Sequence, residues 1–152
     1  MKTVKDIFDS KQKSFNFTTP DARVYDALVQ LNSVNLSYLV VMDNDEYKGI
    51  FSEKDYTRNV ILKGRASNST SVSEVMTTDI PMVSLEDTAE QCMHLINAHK
   101  TRYLLAYDND QHFVGVITIN DLLRLVIANK EDVFDQTLAS SLLDYDDSEA
   151  VL

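Results

Sequence analysis

The chain has 152 residues, 44% hydrophobic and 25% charged, with 24 Asp and Glu against 14 Lys and Arg and a formal net charge of −10. That length suits one compact domain or two half-size units sharing a core, and the acidity argues against general binding to nucleic acid or to an anionic membrane. One cysteine leaves no disulfide framework or CxxC motif, no apolar run approaches the roughly 20 residues of a membrane span, and the start MKTVKDIFDSKQK lacks the apolar stretch of a secretory signal; a reducing cytoplasm is the expected setting.

In chain order, VKDIF (4–8) is a lead-in and FNF (15–17) a short strand. Thr19 is placed to cap a helix, with Pro20 at its first position and Asp21 in its first turn. Val24, Ala27, Leu28, Leu31 and Val34 then follow the i, i+3, i+4, i+7 stripe of a half-buried helix. YLVVM and YKGIF flank Asp43–Asn44–Asp45, which predicts a hairpin. EKDYTRNVILK predicts a second helix, stopped by Gly64. RASNSTS (65–71) reads as a linker, followed by a second lead-in, VSEVM (72–76).

PMV (81–83) is the next strand, and Ser84 with Asp87 forms an S-x-x-D capping box. Ala89, Cys92, Met93 and Ile96 supply a buried stripe, so Cys92 is expected to be a buried, inert thiol. YLLAY and FVGVI predict another hairpin, and residues 119–129 a last helix. Beyond Asn129, Phe134, Leu138, Leu142 and Leu143 could line one more helix before an acidic end. From Glu131 onward there are seven acids and no Lys or Arg, a composition that suits a solubilising tail. Residues 48–65 are the opposite, with five bases against two acids. That basic island suits either a phosphate or a solvated helix face.

The order of elements is written twice. YLVVMDND (38–45) answers YLLAYDND (103–110), VKDIF answers VSEVM, and GIFSEKD (49–55) answers GVITIND (115–121). Two copies do not make a solenoid; they suggest a pseudo-symmetric pair.

The repeated DND does not fit a calcium loop. Opening a 12-residue loop at Asp43 puts Lys48 and Lys54 where Gly and Glu belong, and opening it at Asp108 puts Phe113 and Ile119 there. His94, His99 and His112 do not converge on a metal or catalytic pattern. Neither GxGxxG nor GxxxxGK[ST] is present. What remains is G-h-h-[ST]-x-x-D, written as Gly49, Ser52, Asp55 and again as Gly115, Thr118, Asp121. As structure, hydroxyl and acid make a capping box, which leaves the glycine unexplained. As function, hydroxyl, carboxylate and free amides gather at a helix start, where the dipole favours anions and the carboxylate can accept both hydroxyls of a ribose. The residues alone leave these readings level.

The pattern from residue 4 to about 129 resembles a tandem pair of cystathionine-beta-synthase (CBS) domains. GIFSEKDYTRNVILKGRASNSTSVSEVMT (49–77) is especially similar to stand-alone bacterial CBS-pair proteins, which carry a stretch like G-I-F-S-E-R-D-Y-x-R-K-V followed by G-R-S-S. The resemblance implies an α+β fold of two pseudo-symmetric β-α-β-β-α repeats packed through their sheets into one module. The expected boundaries are 1–64 for repeat 1 with its lead-in, 65–71 for the linker, 72–129 for repeat 2 with its lead-in helix, and 130–152 for an acidic C-terminal helix or tail. It also implies a non-catalytic regulatory module and a homodimer, with an adenosine-containing ligand (AMP, ADP, ATP, NAD or S-adenosylmethionine) in a cleft between repeats. No cofactor would be required, and an effector protein would read the change.

By the same resemblance, Asp121 and Asp55 hold ribose beside Thr118 and Ser52. Adenine packs on Ile80, Pro81, Met82 and Val83, or on residues 15–17. Phosphates meet Arg102 and Arg58. Because Ser37 stands opposite Arg102 in the first copy, the Thr118/Asp121 site is the better candidate, with Arg58 reaching across to it from the first repeat. The chain departs from the family at Arg102-Tyr103-Leu104-Leu105-Ala106, where relatives often read R-H-L-P-V, at Lys54 in place of a frequent Arg, and at Asn59 in place of a frequent base. The alternative is a ligand-free dimerisation or interaction scaffold whose motif only caps helices.

Overall fold

Asn44 and Asp45 both take left-handed backbone, with φ of 50° and 69°, a conformation that short polar side chains tolerate. They close the hairpin of β2 (Tyr38–Asp43) and β3 (Glu46–Ser52). Strand β1 (Phe17–Thr18) lies parallel to β2, giving the order β1-β2-β3, with Phe17 opposite Val40 and Thr18 opposite Val41. The second copy builds the same sheet from β4 (Met82–Ser84), β5 (Tyr103–Tyr107) and β6 (Phe113–Thr118). Both hairpins shift register by a bulge near the turn, at Val41/Met42 and at Ala106/Tyr107.

The computed structural model describes residues 1–11 and 15–128. They fall into two compact units, one within Ser14–Asp79 and the other formed by the described residues of 1–13 together with those from Ile80 onward. Between strands run α2 (Val24–Val34) in the first and α4 (Ala89–His99) in the second, burying Val24, Ala27 and Leu31, and Ala89, Cys92, Met93 and Ile96. Both end on a left-handed residue, Asn35 and Lys100, whose amides close on Leu31 and Ile96. The last helix among the described residues, α5 (Ile119–Ala128), buries Ile119, Asp121 and Leu122. The α+β repeat order expected from the sequence is the order observed. Among the described residues no helix is long and apolar enough to cross a membrane. The acidic helix or tail expected over 130–152 lies outside the described residues.

Two expected caps are corrected. Helix α2 starts at Val24 after Arg23, which makes no side-chain cap bond, and Thr19 instead accepts the Ala22 amide in a turn. In α4 the box is Thr88 with Gln91, while Asp87 accepts the Ser84 amide ahead of the helix. The cause is common to both. The first helical amides already have backbone acceptors outside the repeat: Val24 donates to Thr70 and Ala89 to Lys2. The helix expected over 53–63 begins as α3 (Glu53–Tyr56) and continues as a π-helical stretch, Thr57–Ile61. Gly64, with φ of 71°, ends it as expected.

The lead-ins cross between repeats. Helix α1 (Val4–Ser10), capped by Thr3 with Asp6, contributes Val4, Ile7 and Phe8 to the core that contains Cys92, Leu104 and Ile117 of the second copy. The turn at Val72–Glu74 contributes Val72 and Val75 to the core around Leu39 and Phe51 of the first. This crossing explains both motif glycines. A Cβ on Gly49 would stand 2.9 Å from Met76 Sδ and 2.9 Å from the Thr77 carbonyl oxygen; one on Gly115 would stand 2.8 Å from Phe8 Cε1. Each lead-in lies so close across its strand that a side chain there would force a neighbour to shift.

Candidate functional site

Each [ST]-x-x-D motif sits where the last strand of a copy turns into a helix. The turn is tied to the residue before the hairpin: Glu53 donates its amide to Ser37 at 3.2 Å, and Ile119 donates to Arg102 at 3.1 Å. This equal bonding supports pairing Arg102 with Ser37 across the copies. Capping then fixes the carboxylates. Asp55 Oδ2 accepts the Ser52 amide at 2.8 Å and the Ser52 hydroxyl at 3.0 Å, and the Asp55 amide donates back to Ser52. Asp121 Oδ2 accepts the Thr118 amide at 2.9 Å, and the Asp121 amide donates to Thr118 Oγ1 at 3.2 Å.

Beyond the caps the two sites differ. Asp55 Oδ1 accepts the Thr77 hydroxyl at 2.7 Å. Burial is the largest influence on Asp55 and raises its pKa, opposed by the bonds from Thr77 and Ser52 and by the charge of Arg58. At Asp121 the corresponding partner is a cation. Lys11 Nζ lies 2.7 Å from Asp121 Oδ2 and donates also to the Val116 carbonyl at 2.9 Å, with its ammonium 5.1 Å from the centre of the Phe8 ring. Arg124 stands 3.8 Å from Asp121 Oδ1. The Asp121 side chain is 6% exposed and that of Lys11 25%. Beside the pair opens a cavity of about 310 Å³, which Lys2, Asp6, Lys11, Asp121 and Arg124 line along with apolar residues of α1 and α5.

The other expected residues are distributed as follows. Arg102 lies just before β5, with its carbonyl at the start of α5. Ile80 is buried, and the Pro81 carbonyl accepts the Leu105 amide at 2.9 Å. Met82 is 67% exposed, and Val83 is part of the hydrophobic core. Strand β5 separates their strand from β6, which carries Thr118. Ser52, Asp55 and Arg58 belong to the unit Ser14–Asp79; Thr118, Asp121, Arg102 and Ile80–Val83 belong to the other.

Sequence reasoning missed Lys11 and Thr77, the partners of the two carboxylates. Both follow a lead-in, and the VKDIF/VSEVM match stops just before them, so the repeat marks the place without revealing the residues. It also set the histidines against one another only. His112 in fact meets two acids, and ligand atoms of Asp108, Asp110 and His112 lie within 4.8 Å of one another on an exposed turn. Asp108 is already occupied there, accepting the amides of Asp110 and His112 at 2.9 Å each, and these bonds lower its pKa.

The CBS domain family model matches residues 4–61 and 72–128. CBSX3, a mitochondrial CBS domain-containing protein of Arabidopsis thaliana, is 31% identical over 134 residues, covering 82% of this chain and 65% of that one. The first curated relatives are longer than the chain, which spans between 20% and 65% of their length. Among solved structures, a CBS-domain protein from Burkholderia ambifaria superposes with a TM-score of 0.78 at 32% identity, covering 88% of this chain and 99% of that one. CBSX2, solved in complex with AMP, superposes with a TM-score of 0.69 at 23% identity, covering 86% of this chain and 100% of that one. With the model matched once in each copy, the chain belongs to the CBS domain family and carries two CBS domains in tandem.

Proposed function

We propose that the chain is a non-catalytic regulatory module that binds an adenosine-containing ligand at Thr118 and Asp121. The observation that carries this is the buried Asp121 carboxylate at the start of α5, set on the rim of a cavity of about 310 Å³ that Lys2, Lys11 and Arg124 also line. A carboxylate held at a helix start can accept both hydroxyls of a ribose, and nearby cations suit phosphate. Arg102, placed by its carbonyl at the same turn, is the further phosphate contact in this reading. Met82 and its neighbours Ile80, Pro81 and Val83 form the strand entry against which adenine would pack. Ser52 and Asp55 form a second, weaker site on the other unit. Because CBSX2 was solved with AMP, AMP is the first ligand to try. Binding would favour one arrangement of the molecule over another, and an effector protein would read the difference.

The experiment is a thermal-shift panel of AMP, ADP, ATP, NAD and S-adenosylmethionine on protein freed of ligand. A ligand present at 100 times its dissociation constant stabilises by about 2.7 kcal/mol, a rise of several degrees. Asp121→Asn, with unchanged circular dichroism, is expected to abolish that rise.

A second reading is favoured by the capping boxes and the glycine contacts, which account for Gly49, Ser52, Asp55, Gly115, Thr118 and Asp121 without any ligand. On that reading the chain is an interaction scaffold. No ligand in the panel then shifts the melt, and Asp121→Asn lowers Tm alone.

A further inference from the structure

We propose that Lys11 is a built-in competitor at Asp121, which makes this site select ligands bearing a phosphate over the same nucleoside without one. The inference rests on the function proposed above and concerns the ligand class of that site. Lys11 is no loosely placed surface lysine. It ends α1, whose Val4, Ile7 and Phe8 are buried and whose first amides are held by Asp87 and Leu85 at 2.8 and 3.0 Å. The ammonium then has three partners: the Asp121 carboxylate, the Val116 carbonyl and the face of Phe8.

A ribose that sets one hydroxyl on each oxygen of Asp121 must displace this ammonium from Oδ2. A charge-assisted bond from a mostly buried lysine is among the stronger single contacts a protein makes. Once displaced, the ammonium needs a new anion, because a half-buried cation without one is unfavourable. A phosphate on the same ligand supplies it, and Lys2 and Arg124 line the same cavity and add positive charge. A neutral nucleoside offers nothing in exchange. A cationic sulfonium ligand adds repulsion. At Asp55 both oxygens have neutral partners, Ser52 on Oδ2 and the Thr77 hydroxyl on Oδ1, and a ribose hydroxyl can replace a hydroxyl one for one. Phosphate selection is therefore a property of the Asp121 site alone.

The test is calorimetric titration of the full chain with AMP, adenosine and S-adenosylmethionine, in wild type, Lys11→Met and Lys11→Arg. Met keeps an apolar stem against Phe8 and removes the charge; Arg keeps the charge. Wild type should prefer AMP to adenosine by at least about tenfold, the worth of one charged hydrogen bond. In Lys11→Met, adenosine should bind more tightly and AMP no more tightly, so the preference falls by about tenfold or more. Lys11→Arg should keep it. If Lys11→Met fails to fold, Lys11→Gln takes its place. AMP bound with the same preference in wild type and Lys11→Met would overturn the role of Lys11 and leave the proposed function standing. Binding of neither AMP nor adenosine to wild type or variant would overturn the proposed function, and this inference with it.

Discussion

Asp55 and Asp121 hold the same place in the two copies, but their charge is balanced by different means. Asp121 has an ammonium at 2.7 Å, while Asp55 has two hydroxyls and one amide and a raised pKa that burial causes. For a carboxyl whose folded pKa lies above its unfolded one, the folded state holds the proton longer. Stability is then full at low pH and falls as pH rises from the ordinary value of 3.8 to the raised one. Replacing Asp55 by Asn removes this titration. Melting curves across that window should show wild type losing stability relative to Asp55→Asn as pH rises, by at most about 1.4 kcal/mol per pH unit, one proton's worth. Parallel curves would mean that Asp55 titrates alike in both states. None of this was visible in the repeated letters, because the partners that set the difference lie outside the motif.

At the scale of elements, the motif glycine is where reading the sequence as a cap ran short. Capping needs the hydroxyl and the acid but has no use for a glycine three residues earlier; the crossing lead-in does. The two glycines should respond differently to Ala. At Gly49 the new Cβ meets the Thr77 carbonyl oxygen, which is held in place by bonds of 2.8 and 2.9 Å exchanged with Ile50. At Gly115 it meets only the Phe8 ring, which can tilt. Gly49→Ala should therefore cost about 1–3 kcal/mol in denaturant unfolding, and Gly115→Ala less. Equal costs would show the Thr77 segment to be as yielding as a side chain. The hairpins and the α2 and α4 stripes were legible because period 2 and period 3.6 are each written twice. The caps at Thr19 and Ser84 were not, because carbonyls from a distant segment of chain, on Thr70 and Lys2, decide where those helices start. Nothing local in TRNVI announced the π-helical stretch.

Across the whole molecule, the chain's units are not its repeats. The unit holding the second copy is discontinuous and includes residues 1–13, whereas Ser14–Asp79 is one continuous stretch. Cys92 reports on that arrangement. It is fully buried in the cluster that Val4, Ile7 and Phe8 complete, and burial with nearby Asp87 pushes its thiol up to about 12. In the native chain it should react with an aromatic disulfide only through opening of this core. Phe8→Ala removes a buried ring at a cost of about 3–5 kcal/mol, which raises the open population and the rate by about a hundredfold or more. A fragment starting at Ile80 lacks the whole of α1, so its Cys92 should react as fast as in denaturant. Fusing residues 1–13 ahead of that fragment should restore protection. A fragment protected without α1 would mean that the second copy closes its own core, and that the crossing lead-in serves the Asp121 site more than the fold.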